Sequence, residues 1–129
     1  MSTLFAEKEQ LNARAERELG RFFSLAGMGV NNLVMPAGVI DEVWHNKLKN
    51  QEEYTEFCNE TAGGHITHAP MKGEGEIKWV PEYEKQFGKL DPAWFTKETG
   101  EVDKPKYEAY LRDGKVSMEW DCVPIQTDN

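Results

Sequence analysis

The longest regular pattern in the chain is helical. From Ser2 to Met28, the residues Leu11, Ala15, Leu19, Phe22, Phe23 and Ala26 recur at spacings of three and four, with Glu, Lys and Arg between them. One face of that helix is apolar and needs a partner. Gly27, Gly29 and the pair Asn31-Asn32 then break the pattern.

The punctuation that follows predicts shorter elements. Pro36 suits the first turn of a second helix running to about Lys49. Asn50, with Glu53 three residues on, resembles a capping box opening a third helix, which Gly63-Gly64 should stop. Only a residue or two separates these two helices, so an αα-hairpin or a sharp corner is expected. After Pro70 the run Met71-Lys-Gly-Glu-Gly-Glu reads as a turn-rich linker. Its Gly-Glu-Gly is not a phosphate loop, because no Gly-Lys-Ser/Thr or helix start follows. Trp79 to Gly88 predicts a short helix with Pro81 in its first turn. Asp91 to Phe95 predicts a capped turn, and Asp103 to Leu111 a further helix. Alternation of Val116, Met118 and Trp120 after Asp113-Gly114 predicts a short strand. The expected fold is mainly α: one domain over residues 1–129, several helices around an αα-hairpin, and a short β segment near the C-terminus.

Four Trp, four Tyr and six Phe provide a core of few, large side chains. The net charge of −8 disfavours nucleic-acid binding, which draws its affinity from a basic surface. Acids stand near the N-terminus where a signal peptide would be basic, and no segment is apolar enough for a membrane span. A soluble, cytoplasmic protein is expected, in which Cys58 and Cys122 are free or metal-bound rather than disulfide-linked.

All three histidines and one of the two cysteines fall between Asp41 and Pro70. Imidazole and thiolate together bind zinc and similar metals, or perform nucleophilic and acid–base chemistry. Asp41, Trp44, His45 and Leu48 share one helical face; Tyr54, Phe57, Cys58 and Thr61 share another. His45, Cys58 and His68 are the favoured ligands. The fourth is His65, Cys122 or water, and Asp41 is placed to orient the His45 ring. No Cys-x-x-Cys or His-Glu-x-x-His is present, so neither a zinc finger nor a metalloprotease pattern is met. The plainer reading makes His45 a half-buried partner of Asp41, Cys58 a core side chain, and His65 and His68 loop surface. A Cys58 nucleophile would need activation, which a core-facing position denies it.

The stretch Asp41-x-x-Trp44-His45 … Tyr54-x-x-x-Cys58 … Gly64-x-x-x-His68-x-Pro70 resembles the core motif of the glycine-rich domain-containing protein family. That family includes plant glycine-rich-domain proteins and small stand-alone bacterial or phage proteins. Tyr83-x-x-x-Phe87-Gly88, Trp94-Phe95 and Trp120-Asp121-Cys122-x-Pro124 are similar to the second half of the smaller bacterial members. The family's Trp-His-x-His has Lys47 in place of its second histidine here. The resemblance implies a fold and a site in which His45, Cys58 and His68 act together with Cys122 as fourth ligand, more than it implies an activity.

Three functions follow as expectations. The first is a small cytoplasmic binding module with a zinc-type His/Cys site. The second, which the residues favour less, is a metal- or Cys-dependent enzyme using His45, Cys58 and His68. The third is an acidic, phage-type protein that binds a basic host partner.

Overall fold

The computed structural model describes residues 3–126, so the expected helix start at Ser2 lies outside the described range. Helix α1 (Thr3–Gly27) buries the predicted stripe, with Ala15, Leu19, Phe22, Phe23 and Ala26 all inside. Strand β1 (Met35–Pro36) and helix α2 (Val39–Lys47) follow. Pro36 therefore ends a strand rather than starting a helix; it pairs across to Trp120. Helix α3 (Gln51–Ala62) is capped as predicted. The Asn50 side chain accepts from the Glu53 N–H at 3.1 Å, and Gly63 closes the helix at φ 75°.

Next come strand β2 (Ile66–Glu76), helix α4 (Val80–Phe87), a 3-10 turn (Pro92–Phe95), helix α5 (Lys104–Asp113) and strand β3 (Ser117–Gln126). The described chain is 53% helical and 21% strand. Five helices accompany a three-stranded antiparallel sheet of order β1-β3-β2, so the fold is mixed α/β and the mainly α expectation is corrected. No αα-hairpin is shown either, because α2 and α3 each lie against α1 more than against one another. The reason is aromatic: Phe23 meets Trp44, Tyr54 and Phe57 at centroid distances of 5.2, 6.2 and 5.6 Å, drawing both helices onto α1.

The expected linker after Pro70 is part of β2. Its glycines and charges carry no local strand signal; pairing with β3 makes it a strand, from Ile66 opposite Gln126 to Glu76 opposite Ser117. One extra residue between Pro70 and Gly73 forms a bulge. Gly73 is required there, since a Cβ would fall 2.4 Å from the Trp120 ring. The expected short strand at Val116 is the ten-residue β3.

A buried carboxylate joins the layers. Glu18 on α1 has no exposed surface, yet each of its oxygens is satisfied. One accepts from the Tyr83 hydroxyl of α4 and from the Trp94 indole N–H at 3.0 Å. The other accepts from Arg17 and Arg21, each at 3.1 Å. Burial, then the bond to Glu18, pushes the Tyr83 phenol above its ordinary pKa, so it stays a donor. Nearby, Asp91 caps the 3-10 turn through the Ala93 N–H and accepts from Arg14 at 2.6 Å and Arg17 at 2.9 Å. Burial alone would raise the Asp91 pKa; the Arg14 bond overrides it and holds the carboxylate below its usual range.

Replacing Glu18→Ala leaves the Trp94 N–H and Tyr83 O–H buried without an acceptor. A loss of about 3–5 kcal/mol in urea unfolding is expected, as for other broken buried ion networks. A loss under about 1 kcal/mol would show that the network contributes little.

Candidate metal centre

The entry to α2 is fixed by backbone. The Ala37 N–H bonds Glu119 O at 3.1 Å, and the Val39 N–H bonds Thr96 O at 3.0 Å. Between them Gly38 adopts φ 146° and ψ −159°, a conformation that is essentially glycine-only. A Cβ there would lie 2.7 Å from Thr96 O. Helix α2 thus starts beside β3, and Asp41 and His45, one turn apart, share one face of it.

The sheet supplies the other groups. His68 on β2 pairs with Pro124, and Cys122 on β3 pairs with Pro70 and Met35. Directly paired residues point the same way and the period along a strand is two, so His68 and Cys122 are diagonal neighbours on one face. Donor atoms from Asp41, His45, His68 and Cys122 all lie within 4.8 Å of one another. The two Nε2 atoms are 3.0 Å apart, Asp41 Oδ1 is 3.3 Å from His45 Nε2, and the Cys122 thiol donates to Asp41 Oδ1 at 3.1 Å. Four donors at metal bonds of about 2.0–2.3 Å in a tetrahedron stand about 3.3–3.8 Å apart. The three contacts of 3.0 to 3.3 Å fall at or just under that range, and separations of up to 4.8 Å elsewhere in the group would have to close around an ion. The cluster could hold a metal.

Electrostatics favour this on one side and oppose it on the other. Burial, then the neighbouring His45 ring, lowers the His68 pKa against the upward pull of Asp41, so that ring stays neutral and able to ligate. Burial, then the bond to Asp41, raises the Cys122 thiol above its ordinary value, so a proton must leave before sulfur can bind metal. The His45 side chain is 51% exposed and that of Asp41 6%, so the centre opens to solvent on the His45 side.

Of the residues singled out in the sequence, the fold gathers His45, His68, Cys122 and Asp41 into this group. Asp41 is itself within ligand distance, beyond its expected role of orienting His45. Cys58 is not among the gathered donors; it is fully buried on α3, beside the Tyr54 hydroxyl, and both cysteines are free. His65 stacks edge-on against Tyr54 at 5.8 Å. Lys47 bonds Glu16 at 2.9 Å and lies over the Phe57 ring. Placing Cys122 needs the β2–β3 register, which no local spacing reveals. Glu18 carried a local signal, a carboxylate between Ala15 and Phe22 on an apolar stripe.

Comparison with protein-family models, curated proteins and solved structures returns no match. The resemblance to glycine-rich-domain proteins therefore rests on the motif residues alone.

Substituting Gly38→Ala forces a side chain against Thr96 O and moves the start of α2. Expected results are a stability loss of about 3 kcal/mol and displacement of the Asp41 and His45 resonances in NMR spectra. Unchanged spectra would show that Gly38 does not set the position of α2.

Proposed function

We propose that this protein is a small binding module whose Asp41/His45/His68/Cys122 centre binds zinc and uses it as a clip between α2 and the β2–β3 hairpin. The observation that carries the reading is the convergence of four donors from three distant chain segments to within 4.8 Å. Two imidazoles and one thiol with a carboxylate form a borderline-soft set, which suits zinc over magnesium or calcium. Four protein donors favour a closed structural site, whereas a catalytic zinc keeps a position for water. Among the described residues no helix is long and apolar enough to cross a membrane.

Purified protein should contain about one zinc per chain by elemental analysis. At free zinc a thousandfold above Kd, binding adds about 4 kcal/mol, or about 15 °C in Tm, which a strong chelator removes. Absence of zinc together with an unchanged Tm on zinc addition or chelation would overturn the proposal.

Zinc uptake at pH 7 should release about one proton, that of Cys122, because His68 is held neutral while the thiol is held protonated. Below the thiol's pKa, affinity then rises about tenfold per pH unit. Calorimetry in buffers of different ionisation enthalpy measures the proton count; affinity independent of pH would exclude Cys122 as a ligand.

A further inference from the structure

The motif residue Tyr54 does not donate to the cluster, yet it touches both arms that carry the two histidines. Its side chain is buried, with 1% of its surface exposed. The hydroxyl accepts from the Trp44 indole N–H at 3.0 Å and donates to the Ile66 carbonyl. Trp44 is the residue before His45 on α2, and Ile66 lies two residues before His68 on β2, on the same face of the strand. The Trp44 ring also packs edge-on against His68, centroids 4.8 Å apart. One oxygen on α3 therefore ties the helix bearing His45 to the strand bearing His68.

Resting on the zinc reading, we propose that Tyr54 is the positioning residue of the centre: its hydroxyl holds α2 and β2 so that the two histidine Nε2 atoms stand 3.0 Å apart before the ion arrives. Two chain segments free to drift would have to be ordered by the ion itself, and that ordering cost would be subtracted from the binding energy. Groups that orient metal ligands without touching the metal commonly change affinity 10–100-fold. Cys58, one turn along α3, lies beside the same hydroxyl. It is buried and outside the group of four, so packing around Tyr54 is the role assigned to it.

The test compares wild type with Tyr54→Phe and Cys58→Ala, titrated with zinc and separately with cobalt(II). Tyr54→Phe should bind zinc about 10–100-fold more weakly while keeping one site per chain. Its cobalt complex should show altered d–d and thiolate-to-metal bands, since the donors are no longer held in one geometry. A merely structural role would lower metal-free and zinc-loaded stability alike and leave the cobalt spectrum unchanged. Cys58→Ala should retain both affinity and spectrum. Should Tyr54→Phe fail to fold, Trp44→Phe removes the same N–H contact while keeping a ring beside His68, and a smaller fall in affinity is expected. If wild type binds and the tyrosine or tryptophan variant matches it in affinity and spectrum, the positioning role is overturned and the zinc reading stands. If wild type binds neither metal, both are overturned.

Discussion

A fully buried carboxylate is tolerable only when both oxygens are occupied, and Glu18 meets that condition with donors from three places. Tyr83 brings in α4, Trp94 brings in the 3-10 turn, and Arg17 and Arg21 come from α1 itself. Misplacing any of these leaves an unpaired charge in an apolar interior, which costs several times what a surface contact would. The network consequently selects one arrangement of α1 against the following elements. Since α1 is also the platform for α2 and α3, the geometry of the Asp41/His45/His68/Cys122 cluster descends from it.

From that platform two further constraints aim the donors. Phe23, wedged among Trp44, Tyr54 and Phe57, sets α2 and α3 on α1. The backbone bonds on either side of Gly38 tie the start of α2 to the sheet and to the residue after the 3-10 turn. Asp41 and His45 inherit their direction from these contacts, while His68 and Cys122 inherit theirs from strand register. Contacts among the four, at 3.0 to 3.3 Å, then close the group. Convergence is thus a property of the fold, and the hydrogen bonds within the cluster follow from it.

Elements defined by local chemistry were legible in the sequence: the stripe of α1, the Asn50 cap, the stop at Gly63, and the cap of Asp91 on the turn that carries Trp94. Strand β2 was not, because Gly73, Gly75 and the flanking charges become strand only through pairing with residues some fifty positions later. Pro36 was ambiguous for a physical reason. Proline suits both a first helical turn and the end of a short edge strand, and only the Trp120 partner decides between them. In the site, the spacing of Asp41 and His45 on one helix face carried through, as did His68. Cys58 lies outside the group of four, and one turn from Tyr54 a core cysteine and a ligand cysteine look alike in the sequence. Cys122 stood only as one of three options for a fourth ligand, beside His65 and water, since no local spacing links it to residues so far upstream.

The metal-free cluster has to be stable in its own right, and its chemistry shows how. Two imidazole nitrogens 3.0 Å apart repel unless one carries a proton to share, and a carboxylate with 6% of its side chain exposed needs donors. A thiol that keeps its proton supplies one donor to Asp41. A neutral His tautomer supplies a second, shared at the His45–His68 contact. The Asp41 oxygen and the accepting imidazole nitrogen already offer lone pairs to an ion, whereas the thiol and the donating imidazole nitrogen would first have to lose the proton they carry. An ion at the centre would open the short contacts by a few tenths of an ångström and draw in the separations of up to 4.8 Å. On the proposed reading, a frame in which Tyr54 already ties α2 to β2 would leave less ordering for the ion to supply.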